Sequence, residues 1–133
     1  MEEIINATPH EIVIINLNEV EYIPSMRKYV IKENIRRPVV AIIPKSDIIL
    51  SVKFNNIDSD PLYFDNKTIP TKKRTVVSLD PVPDDGNYYI VSALYASSIT
   101  DPSIRSRLLT IGDPVYSRDG KTVLGCLFLN RLE

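Results

Sequence analysis

The sequence predicts a β-rich α+β fold, a twisted antiparallel or mixed sheet with one or two short helices, closure into a barrel being one option. Three observations carry this. Apolar residues recur with period two or in short β-branched runs. Pro, Asn, Asp and Gly clusters punctuate those runs at close spacing. Long amphipathic segments between the runs are missing, which argues against a doubly wound α/β fold.

Taken in order, Ile12 to Leu17 reads as a first strand, entered through Pro9-His10 and closed by Asn16-Leu17-Asn18. Proline has a fixed φ and no N–H, so it suits a strand entrance better than a strand centre. Val20 to Ile23 is a second short strand, ended by Pro24. Met26 to Ile35 fits either a helical turn after Ser25 or a strand. Pro38 to Ile43 is a β-branched run stopped by Pro44. Ile48, Leu50, Val52 and Phe54 alternate with Ile49, Ser51 and Lys53, the pattern of a half-buried strand. Residues 55–70 read as an excursion with one short strand at Leu62-Tyr63-Phe64.

A further strand is expected from Thr75 to Leu79, then a turn around Asp84-Asp85-Gly86. Tyr88 to Val91 is a strand, and Ser92 is placed to cap a short helix from Ala93 to Ser98. Asp101-Pro102 repeats a helix-start signal, a cap followed by proline at the first helical position. Ser117-Arg118-Asp119-Gly120 reads as a hairpin turn between Pro114–Tyr116 and a central strand from Thr122 to Leu129.

A chain of 133 residues supports one domain with a real core, hardly two, and no linker or repeat divides it. Hydrophobic residues at 44% and charged residues at 25% are a globular balance, against disorder over most of the length. The net charge of −1 gives no global basic field of the kind a dedicated nucleic-acid binder shows. Cys126 is the only cysteine, so no internal disulfide forms and the expected compartment is reducing. No signal peptide and no apolar run of 18 residues is read from the sequence.

Few residues point to a chemistry. His10 is the only histidine, and as a functional group it would act as a general base, metal ligand or pH switch. As a structural group it would sit at the strand edge with its ring hydrogen-bonded to a backbone carbonyl. A zinc site needs several His or Cys ligands, and His10 and Cys126 are all there are. Ser92 sits where a nucleophile elbow would, but Ile90 and Leu94 occupy positions that need small residues, so helix capping is the better reading. Asp80, Asp84 and Asp85 form an acidic loop without calcium-loop spacing. Arg36-Arg37 and Lys72-Lys73-Arg74, with Lys45, are basic clusters that could meet phosphates, with Tyr29, Tyr63 and Phe64 as stacking groups if exposed. No glycine-rich phosphate loop is present. No catalytic residue, metal ligand set or cofactor is assigned.

Asn6, Thr8, Pro9 and His10, then Tyr89, Val91, Ser92 and Ala96, then Gly112, Pro114, Val115, Arg118, Asp119, Gly120 and Gly125 together resemble the motifs of one family. It consists of small uncharacterised proteins of bacteriophages, archaeal viruses and some prokaryotic genomes, which open with Asn-x-Thr-Pro-His. The resemblance covers roughly the first tenth and the last third of the chain. The middle departs from it, since Pro24-Ser25 is followed by Met26 where the family has glycine. The resemblance implies a viral source and supplies no mechanism. Thr8, His10, Ser92, Arg118 and Asp119 are the candidate ligand-binding set, at turns and strand ends where scaffold and site look alike in sequence.

The expected function is a non-enzymatic viral accessory or assembly protein of the host cell cytoplasm. It would act as a protein-interaction module that self-associates through an exposed strand or apolar patch, or engages a viral or host protein, with no membrane partner. The alternative is a small hydrolase or nucleotide-modifying enzyme using His10. A third reading is a nucleic-acid-binding accessory protein using the basic clusters.

Overall fold

A computed structural model describes residues 2–33 and 38–132. The chain is β-rich, with two short helices and open sheets that do not close into a barrel. Four strands form one mixed sheet in the order β1 (Ile4–Asn6), β8 (Tyr88–Ile90), β9 (Leu108–Ile111), β12 (Leu129–Arg131). Six form a second, in the order β3 (Val20–Ile23), β4 (Lys28–Ile31), β10 (Pro114–Tyr116), β11 (Val123–Cys126), β2 (Ile12–Ile15), β5 (Val39–Ile43). The remaining two, β6 (Val52–Phe64) and β7 (Lys67–Leu79), pair only with each other.

Successive residues of a strand face opposite ways, and β8 and β9 use both faces. Tyr89 and Leu108 pack with Ala7, Leu50, Val91, Tyr95, Ala96 and Ile99. Their neighbours Ile90 and Leu109 pack instead with Ile12 and Cys126. The four-stranded sheet therefore feeds two cores, one that includes the helical segment and one shared with the six-stranded sheet. A third cluster, Ile15, Val20, Ile31 and Val115, lies within the six-stranded sheet.

The helices form where their caps stand. The Ser92 hydroxyl accepts from the Tyr95 N–H at 3.1 Å and opens α1 (Ala93–Ser97). Asp101 accepts from the Ser103 N–H at 2.9 Å and opens α2 (Pro102–Arg105), with Pro102 in its first turn. Arg105 closes this region by donating to the carbonyls of Ala96 and Ile99.

Of the two options for Met26 to Ile35 the strand forms, as β4, reached through a turn in which Arg27 has φ 55°. Other sequence expectations are corrected. Strand β1 was not read, because its three residues precede the Thr8-Pro9 break. Strand β9 was also missed, lying directly behind α2. The expected strand Thr122 to Leu129 is two strands. Its first part, β11, is interior to the six-stranded sheet, and the chain then crosses at Leu127-Phe128 to the edge of the other sheet.

The largest correction is residues 55–70. They are no loose excursion but most of a hairpin with thirteen residues in each strand. The turn is Asp65-Asn66, both with positive φ (50° and 61°), as a two-residue type I′ connection requires. Pro61 and Pro70 suggested a loop, since proline cannot donate to a ladder. Pro61 lies within a bulge between Ser59 and Leu62, where the register shifts.

Candidate functional site

The Thr8-Pro9-His10 segment is a crossing between the two sheets, and Asn6 organises it. Asn6 is 1% exposed and ends β1. Its side-chain NH2 donates to the His10 carbonyl at 2.7 Å and the Ile43 carbonyl at 3.2 Å. Its Oδ1 accepts from the Thr8 N–H at 3.0 Å and the Thr8 hydroxyl at 2.6 Å. Two donors and two lone pairs are thus all used, the full capacity of a carboxamide. Its backbone carbonyl in turn accepts from Ser46.

His10 contributes its backbone to this arrangement, while the residue itself is exposed. Among the described residues its ring makes no hydrogen bond, so neither the catalytic pairing nor the ring-to-carbonyl pin expected from sequence is formed. Ser92 is occupied as a helix cap and Thr8 by Asn6.

Arg118 and Asp119 lie on the β10–β11 turn and work separately. Arg118 pairs with Glu21 of β3, donates to the Ile31 carbonyl at 3.2 Å, and stands 3.9 Å from Glu33. With Lys32 these groups line an open polar cleft of about 460 Å³. Its cations already have partners, for the Lys32 ammonium donates to the Asn18 carbonyl at 2.9 Å. Asp119 accepts from the Ser117 hydroxyl and from the Lys121 N–H. Those bonds, the Ser117 hydroxyl first, hold its carboxyl below the ordinary 3.8. Both residues secure a turn, which Lys28 fastens by donating to the Gly120 carbonyl at 2.8 Å.

The acidic loop resolves into two local clasps. Asp80 accepts from the N–H and hydroxyl of Ser51, which depress its pKa, the N–H most. Asp85 accepts from the Tyr89 hydroxyl, the leading reason that its own pKa is lowered. Among the described residues no three His, Cys, Asp or Glu side chains gather as a metal-holding group. Cys126 is buried, and that burial raises its thiol pKa. Arg36 and Arg37 lie outside the described residues. Strand alternation divides the other basic cluster. Lys72 and Arg74 share one face of the hairpin, at 3.5 Å from Asp58 and over the Phe54 ring respectively, and Lys73 takes the other face.

The feature that sequence reasoning missed is this hairpin. Val52 and Leu79 anchor it on the core. Beyond them nearly every side chain is exposed. The register places Ile57, Leu62, Phe64 and Ile69 on one face, among Thr71, Lys73, Thr75 and Lys67. Leu62 is 66% exposed, and Phe64 and its neighbour Tyr63 are each 74% exposed. The legible signal was two β-rich stretches placed symmetrically about Asp65-Asn66.

No protein-family model matches this chain, and neither a curated protein nor a solved structure matches it. Function therefore rests on the geometry.

Proposed function

We propose that the protein is a non-enzymatic assembly module that associates with further copies of itself through the β6–β7 arm. The observation that carries this is the arm's dimension and surface. Thirteen residues at about 3.3 Å each give an arm of roughly 40 Å. A body of about 100 residues is expected to have a radius of gyration near 13 Å, so the arm is about as long as the body is wide. A two-stranded ribbon is marginally stable in water by itself. This one exposes apolar side chains to its tip, as a surface made to be covered does.

The arm carries five cations (Lys53, Lys67, Lys72, Lys73, Arg74) against three carboxylates (Asp58, Asp60, Asp65). That net of two positive charges, split over both faces, supports apolar docking better than phosphate binding. A role in a prokaryotic virus inside its host, suggested by the motif resemblance, is part of the proposal. Sedimentation velocity across the micromolar range tests it. The sedimentation coefficient is expected to rise with concentration, and to stop rising when residues 57–73 are replaced by Asn-Gly. A strict monomer throughout would refute the proposal.

A further inference from the structure

We infer that the arm is rigidly mounted, Asp80 and Tyr95 fixing its direction relative to the body so that each copy presents the arm at one angle. This rests on the arm being the associating surface, and it assigns the residues that position that surface.

The chain enters the arm from Ser51, just before β6, and leaves it at Asp80, just after β7. These two crossings are clasped to each other. The Asp80 N–H donates to the Ser51 carbonyl at 3.1 Å, and one Asp80 carboxylate oxygen accepts from the Ser51 N–H at 2.9 Å and from its hydroxyl at 3.0 Å. Each crossing is also tied to a different buried part of the body. On the β6 side, the N–H of the buried Leu50 donates to the carbonyl of Ala7, the fully buried neighbour of Asn6. On the β7 side, the Asp80 carbonyl accepts from the hydroxyl of Tyr95, a fully buried residue of α1. A tyrosine has few side-chain torsions, and close packing fixes them, so this hydroxyl is a stiff strut. Val52 and Leu79, the first pair of the arm's ladder, pack on the same cluster as Ala7, Leu50 and Tyr95.

The sequence at the root is stiff as well. No glycine occurs before Gly86, so neither crossing has the residue that most readily absorbs a backbone rotation. Pro81 fixes its own φ and confines Asp80 to extended backbone. Length makes this stiffness matter. On an arm of roughly 40 Å, a swing of about 10° at the root moves the tip by about 7 Å, more than the spacing of neighbouring strands. Leu62, Phe64 and Ile69 lie in the distal part of the arm, where that displacement is greatest. An arm already held in its docking direction also gives up less freedom on association than a loose one.

Two measurements on one variant test this. Asp80→Ala with Tyr95→Phe removes the carboxylate clasp and the strut, and leaves every side chain of the arm in place. Asp80→Ala alone serves if the pair disturbs the circular dichroism spectrum. Spin labels on Thr68→Cys, near the tip, and Lys121→Cys, on the body, report the direction of the arm by double electron–electron resonance in dilute monomer. Both positions are exposed, and the native Cys126 is buried. The wild-type distance distribution is expected to be narrow, and the variant's to widen by about 7 Å or more. The assembly midpoint, read by sedimentation velocity, should rise about 10-fold in the variant. A variant distribution as narrow as that of wild type shows that these residues do not set the direction, and the inference falls while the arm proposal stands. An unchanged assembly midpoint despite a widened distribution has the same consequence. A wild type that stays monomeric refutes the arm proposal, and this inference with it.

Discussion

Asn6 does the work that the only histidine was expected to do. A buried carboxamide with four satisfied hydrogen bonds joins the end of one sheet to the start of the other. Removing it takes the side-chain partner from the Thr8 N–H and the Ile43 carbonyl at part-buried positions, while the Thr8 hydroxyl keeps the His10 carbonyl at 3.0 Å. Asn6→Ala is therefore expected to cost about 1–3 kcal/mol of unfolding free energy, since unpaired buried groups keep their full desolvation penalty. His10→Ala should change stability by less than about 0.5 kcal/mol, because the residue is exposed and its backbone bonds survive. Urea unfolding of the two variants checks both expectations, and a His10→Ala loss as large as that of Asn6→Ala would show that the ring has a partner after all. The sequence drew attention to the right segment and the wrong atom. Polar residues at a break are visible in a sequence, but which of them turns inward depends on Ile43, thirty-seven residues away.

At the scale of elements, the arm and the core should differ in opening energy. The arm is held at its base, where Ser51 and Asp80 exchange backbone and side-chain bonds and the buried Tyr95 donates its hydroxyl to the Asp80 carbonyl at 2.5 Å. Beyond that base its ladder is open to water. In dilute monomer, amides of residues 55–76 are expected to exchange with solvent orders of magnitude faster than those of Tyr89, Val91 and Leu109, which bond inside the buried sheet. Equal protection in dilute solution would mean that the arm is covered by its own chain. The interior of the six-stranded sheet has the opposite character. A Cβ on Gly125 would stand 2.5 Å from the Val13 carbonyl oxygen, so β11 and β2 can approach as they do only without a side chain there. Gly125→Ala is expected to lower stability by about 1–3 kcal/mol, measured by thermal unfolding. Elements with local signals were legible: both helix caps, the Ser117–Gly120 turn, and the strands at Val20–Ile23 and Val39–Ile43. The arm was not, because an exposed ribbon has no buried face to impose a clean alternation and its prolines imitate a loop. The change of sheet between β11 and β12 was not legible either, since an apolar run reads the same whether it stays in one sheet or crosses to another.

Across the whole molecule, one partly buried contact couples folding to protons at both ends of the pH range. Tyr89 lies in the core with its hydroxyl on Asp85. Burial first, and then that carboxylate, push its pKa from 10.0 up to about 12. The unfolded chain begins to ionise this tyrosine near pH 10 while the folded chain resists. Its stabilising contribution is thus complete below pH 10 and lost as pH rises toward 12. Asp85 acts with the opposite sign. Its folded pKa lies below the ordinary 3.8, so its contribution is complete above that value and lost as pH falls through the folded pKa. Asp80, Asp101 and Asp119 are lowered in the same direction by their own hydrogen bonds and steepen the acid limb. Tyr89→Phe removes the alkaline contribution entirely and the leading cause of the Asp85 shift, leaving the other three carboxylates in place. At pH 7 the variant should lose about 1–2 kcal/mol, the cost of a partly buried hydrogen bond to a charged acceptor. The difference from wild type should shrink as pH rises from 10 to 12, and shrink again, less steeply, as pH falls below 4. Urea unfolding at pH 3, 7 and 11 measures this. A Tyr89→Phe deficit that stays constant across the three would show that the Tyr89–Asp85 contact does not couple folding to protons.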